Sequence, residues 1–150
     1  MYQEIIPKIK AVLEGVVLYT IGGVDYKPIV YPYPLQEGEN PSRYPAIIFF
    51  PTNADNQFST QDQNFKQVNF RAVILINAEN ISTEQIFTAT MPNAVDKVVE
   101  ELDKGWSFGD IDNCRTWARA DAVIWGMSND ESGRYAFAEV NILVKLSTNN

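Results

Sequence analysis

Residues 82–105 read STEQIFTATMPNAVDKVVEELDKG, and this stretch decides the fold because its start, its apolar face and its stop are all legible. Ser82 with Gln85 three places on forms a capping box, and Ile81 is placed to staple onto Ile86. Ile86, Phe87, Met91, Ala94, Val95, Val98 and Leu102 recur with helical period, while Glu84, Lys97, Glu100, Glu101 and Lys104 fall largely opposite. Lys104 suits the negative end of the helix dipole and Gly105 supplies a left-handed stop. Pro92 lies inside the pattern, so it must either kink the helix or divide it into a short first piece and a longer second one, and a kink is the expectation. A helix with one apolar face needs a sheet to dock on.

Working outward, Tyr2, Ile5, Ile6, Ile9, Val12 and Leu13 mark a second amphipathic helix that begins around Gln3 or Glu4 and ends at Gly15. Val16 to Ile21 and Val24 to Val30 suit two strands joined by a Gly22-Gly23 hairpin turn. Prolines 28, 32, 34 and 41 make Pro28 to Ser42 an extended connection, an edge strand followed by a loop. It reads as an arm covering the core, ahead of a protein-binding segment.

Ala46 to Phe50, between Pro45 and Pro51, is a continuous apolar run of the kind found in a strand covered on both faces. Thr52 to Asn64 holds almost nothing apolar except Phe58, and it reads as a long polar loop of the sort that is uncommon unless functional. Gln67 to Asn77 alternates, with Val68, Phe70, Ala72, Ile74 and Ile76 on one face. Arg115 to Met127 and Arg134 to Leu146 form a hairpin about the turn-rich Ser128 to Gly133. Its even positions, Ala118, Ala120, Ala122 and Ile124 with Ala136, Ala138, Val140, Ile142 and Val144, are small or aliphatic and should share the core face. That sharing demands an odd-length loop, with Gly133 or a neighbour at positive φ. The odd positions, among them Trp117, Trp125, Tyr135 and Phe137, mix aromatics with charge and suit a partly exposed or subunit-covered face. The fold class expected is α+β: a two-layer sandwich of an antiparallel or mixed sheet with two helices on one face, as one domain over residues 1–150.

Composition narrows the chemistry. The chain of 150 residues has no histidine, so Ser-His-Asp and Cys-His systems and most zinc sites cannot be built from it. Cys114 is the only cysteine and reads as a buried, inert thiol without disulfide partner. Gly22-Gly23 lacks the spacing and the Lys-Ser of a phosphate-cradling loop, and Asp110, Asp112 and Asn113 lack the closing glutamate of a calcium loop. No catalytic, cofactor or metal residues are expected. The net charge of −7 opposes a broad grip on phosphate backbones, and no stretch approaches a membrane span. A cytosolic product without a leader is the expectation.

The order of elements carries a resemblance. A short N-terminal amphipathic helix, a Tyr44-Pro45-Ala46-Ile47-Ile48 strand opening, a polar loop, an alternating strand, a helix over Asn93 to Leu102 and a final Arg134-Tyr135-Ala136-Phe137 strand pair together resemble the tail terminator (tail completion) proteins of long-tailed bacteriophages. The resemblance covers most of the chain through pattern and length, without a diagnostic motif. It implies a virion protein, assembled in the host bacterial cytoplasm, that forms a hexameric ring on the last tube ring, ends polymerisation and meets the head–tail connector or neck proteins. DNA would pass through without specific binding, with no cofactor and no membrane. Trp117, Trp125, Tyr135, Phe137 and Trp106 are then the candidate subunit interface, and Asp55, Phe58 and Asp62 the candidate residues facing the bore or tube. The alternatives are another neck or tail-tube component of similar fold, or a small-molecule enzyme or binding domain with a cleft beside Trp106, Trp117 and Asp110.

Overall fold

The computed structural model describes residues 2–58, 63–104, 114–119, 125–130 and 133–149. Its elements run α1 (Tyr2–Glu14), β1 (Tyr19–Ile21), β2 (Val24–Tyr26), β3 (Ile29–Tyr31), β4 (Ala46–Phe58), β5 (Gln63–Asn77), α2 (Thr83–Gln85), a π-turn (Ile86–Thr90), α3 (Met91–Lys104), β6 (Cys114–Arg119), β7 (Trp125–Asp130) and β8 (Gly133–Asn149). The main sheet has the order β3-β4-β5-β8-β6, with β7 also paired to β8, and β1 and β2 form a separate hairpin. The fold is α+β, with α1 and α3 against one face of a mixed sheet.

The core is the product of two periodicities meeting. Ile5, Ile9 and Leu13 of α1 and Ala94, Val95, Val98 and Leu102 of α3 are buried at helical spacing. They meet alternate residues of the sheet: Ile47 and Phe49; Val68, Phe70, Ala72, Ile74 and Ile76; Ala136, Ala138, Val140, Ile142 and Val144. Each large side chain buried contributes on the order of 1.5 to 3 kcal/mol before chain entropy opposes it.

The α2–α3 segment is one helical path whose interior departs from the expected simple kink. The Gln85 N–H donates to Ser82 Oγ at 3.1 Å, which is the N-cap half of the expected capping box. Farther along, the Met91 N–H donates to the Ile86 carbonyl, the i→i−5 bond of a π-turn. Pro92 explains its position: the ring has no N–H to give and would press on the Thr88 carbonyl in an α-helix, so the path widens just before it. The extra residue resets the phase. Ile86 and Met91 are both buried, and Phe87, expected on the core face, is turned out and 38% exposed.

Three further expectations change. Val24 to Val30 is not one strand, because Lys27-Pro28 divides β2 from β3, and β3 joins β4 in parallel. Gly22 and Gly23, at φ 60° and 78°, make the expected tight turn. The connection after β3 is tied down: the Ser42 N–H donates to the Tyr31 hydroxyl at 2.9 Å, and Arg43 donates to the Lys27 carbonyl at 3.0 Å. The Tyr44-Pro45 peptide is cis.

The second change is the expected polar loop Thr52 to Asn64, of which Thr52 to Phe58 and Gln63 to Asn64 lie in strands, residues 59–62 being outside the described residues. β4 continues to Phe58 and β5 begins at Gln63, paired from Asn53↔Asn69 to Phe58↔Asn64. β8 runs beside β5 over its whole length, from Asn77↔Tyr135 to Gln63↔Asn149. Backbone hydrogen bonds, from β4 to β5 and from β5 to both β4 and β8, hold such a segment without requiring apolar side chains.

The third is the final hairpin. Asp130 pairs with Gly133, so the loop between them has two residues and is even; Gly133 does take φ 129°. Arg119 pairs with Asn141 and Trp125 with Ala138, six steps on one side against three on the other. This shift splits the expected shared face. On β6 the even rows match, with Ala118 opposite Ile142, whereas on β7 the odd Met127 stands opposite Ala136.

Candidate assembly surfaces

The described core ends at Phe49 on β4, at Val68 on β5 and at Val144 on β8, yet the ladder continues beyond it. At the border the register shifts between Pro51 and Asn53, so Thr52 is the extra residue of a β-bulge, and its hydroxyl donates to the Asn69 carbonyl at 3.1 Å. A bulge bends its strand and strengthens the twist, which sets off the distal ladder as an arm. Asn53 to Phe58 of β4, about 20 Å of strand, forms one side of it. Of the residues expected on a bore-facing or tube-facing loop, Asp55 and Phe58 lie in this arm, opposite Gln67 and Asn64. Asp62 is outside the described residues.

The second surface is the sheet face opposite the helices. Ile48, Phe50, Val73, Leu75, Tyr135, Phe137 and Leu143 lie on it, each half-buried, with Arg71 and Glu139 at 3.8 Å on the same face. The candidate interface aromatics are not all here. Tyr135 stacks on Tyr44 with ring centroids 6.1 Å apart, and Phe137 lies over Gly126. Trp125, opposite the core-facing Ala138, belongs to the other face and is 38% exposed at the sheet edge. The register shift after β6 puts it there. Trp117 stands opposite Leu143 in β6, and Trp106 falls outside the described residues, as do Asp110 and Asp112. Neither Tyr44, quoted above only in a strand opening, nor Gly126 is among the candidate interface residues read from the sequence. A glycine inside a strand pattern signals close approach of another group, and that signal was available at Gly126.

Two open clefts flank the β1–β2 hairpin. One, of about 440 Å³, is lined by Tyr19, Thr20, Asp25, Asn93, Lys97 and Glu101; the other, of about 500 Å³, by Ile21, Tyr26, Arg43, Tyr44 and Asn80 among others. Thr20 Oγ1 donates to Asp25 at 2.7 Å, and Asn93 donates to the Leu18 carbonyl at 2.9 Å. Burial, with the neighbouring Tyr26, pushes the Tyr19 phenol up to about 12, which makes it less able to act as a base or nucleophile near neutral pH. On the open surface, the hydrogen bond and charge of Lys104 hold Glu100 below its ordinary value, and Glu100 and Glu101 raise Lys104 in return. These pairs, at 3.1 and 3.3 Å, are solvated helix charge. Among the described residues no group of three or more cysteine or acidic side chains could hold a metal ion, and no helix is long and apolar enough to cross a membrane.

Compared with known proteins, the chain matches no family model and is similar to no curated protein.

Proposed function

We propose that this chain is a structural protein of a bacteriophage virion that forms a ring, hexameric by the resemblance, at the head-proximal end of a long tail. There it ends tube polymerisation and joins the tail to the neck or head connector. The arm is the observation that carries the reading. A ladder of largely polar sequence that continues beyond the last described core residues of β4, β5 and β8 offers a paired backbone to something outside the subunit. Subunit contacts draw on the β6–β8 side of the sheet, where Trp117, Trp125, Tyr135 and Phe137 lie, since aromatics covered between subunits supply affinity that scattered surface charge does not. The net charge of −7 keeps passing DNA from being held. No catalytic role is assigned.

The test shortens the arm. Joining Asn56 directly to Lys66 by an Asn-Gly turn preserves the ladder register and removes the tip. The shortened protein is expected to fold and form rings but to lose tail joining or length control. Infectious particles of normal tail length from this variant would overturn the assignment, and localisation along the tube or within the neck would point to another tail component.

A further inference from the structure

Among the described residues the outer sides of β3, β6 and β7 and part of β4 have no strand partner, and the β4 and β6 stretches are the two that carry charge of opposite sign. β3 pairs only with Ala46, Ile47 and Ile48, so no described strand is laddered to the outer side of β4 from Asn53 to Phe58. On the other flank β6 has no partner beyond β8. Unpaired edges of this kind accept another strand unless something blunts them. On β4, Pro51 and the bulge at Thr52 blunt the base, but Asn53 to Phe58 carries neither proline nor lysine.

The two edges are at the same height. Following the pairs across the sheet, Asp55 stands opposite Gln67, Gln67 opposite Lys145, and Lys145 opposite Arg115. Asp55 and Arg115 are therefore the two ends of one cross-strand row. The directions also fit: β4, β5, β8 and β6 alternate, so β4 and β6 run oppositely. A second copy turned about an axis along the strands brings its β6 antiparallel to β4, row against row. Charge selects this arrangement over a two-fold one. Asp55 is the one charged residue from Phe49 to Phe58, and β6 carries Arg115 and Arg119 without an acid. Joining β4 to β4 or β6 to β6 sets like charges together, whereas β4 to β6 sets opposite charges together.

We infer that copies of this chain join head to tail by strand addition, the β6 edge of one pairing with the β4 edge of the next so that Asp55 lies opposite Arg115 of the second copy. The junction is heterologous, which generates closed rings or filaments and never a lone dimer. It deepens the ring assigned above and rests on that reading only for closure.

The test places cysteines at the row ends in the full chain with Cys114→Ser. Directly opposed residues of an antiparallel pair lie about 4.5 to 5.5 Å apart at Cα, within disulfide reach. The double variant Asp55→Cys with Arg115→Cys is expected to oxidise to covalent multimers, and a mixture of the two single variants to give one linked dimer that neither gives alone. Efficient self-linking of Asp55→Cys alone, or no linking in the double variant, would overturn the junction. In the native background Asp55→Arg should weaken association about fivefold per junction, and adding Arg115→Asp should restore it; absence of that rescue counts against the pairing. Linked rings that ignore tail tubes would support the junction and remove the tail-end role, and tube capping without linking would do the reverse.

Discussion

Phe137 lies over Gly126 across the β7–β8 ladder, close enough that a β-carbon on Gly126 would stand 2.6 Å from the ring Cζ. The ring covers backbone that a side chain would otherwise shield, as aromatic residues do for glycines in edge strands. Gly126→Ala should therefore push the ring aside and cost about 1 kcal/mol. In a double-mutant cycle with Phe137→Ala, denaturant unfolding should show that the second substitution removes most of the first one's cost. Additive costs would mean the two residues do not interact.

Val98 is fully buried on α3 and its neighbour Lys97 is exposed, 4.0 Å from Glu100. Val98→Asp strands a charge in the core and should cost about 4 kcal/mol or more, enough to unfold a domain of ordinary stability. Lys97→Asp should cost under about 1 kcal/mol. Equal melting temperatures for the two variants would contradict the placement of α3.

The faces of both long helices and of β5 were legible in the sequence because burial repeats locally, at Ile5, Ile9 and Leu13, at Val95, Val98 and Leu102, and at Val68 through Ile76. The arm was not legible. Asn53 to Phe58 has poor strand propensity, and its order comes from the flanking ladder, which no side-chain period announces. Phe87 was misplaced because a single π-turn shifts the helical phase, and Pro92, although visible, does not say how the backbone will yield. Trp125 was grouped with Tyr135 and Phe137 because sequence parity carries no record of the register shift between Arg119 and Trp125.

Tyr19 provides a pH signature. Its phenol, ordinarily near 10, is raised to about 12 chiefly by burial, with a smaller contribution from the stacked Tyr26. A folded value above the unfolded one means that the stabilisation is complete below pH 10 and is lost as the pH climbs through about 12. The loss should amount to about 2 to 3 kcal/mol. Unfolding in urea between pH 9 and 12 should show this decline, and Tyr19→Phe should make it shallower. An unchanged slope in the variant would mean that another group controls alkaline stability.

The most direct measurement of the central claim is the native mass of the purified full chain, taken alone and after incubation with tail tubes, with electron microscopy of the same samples. One closed multimer of fixed copy number that seats on a single end of each tube is expected, with no retention of duplex DNA at physiological salt. A chain that stays monomeric in both samples, or one that binds DNA tightly, would contradict it.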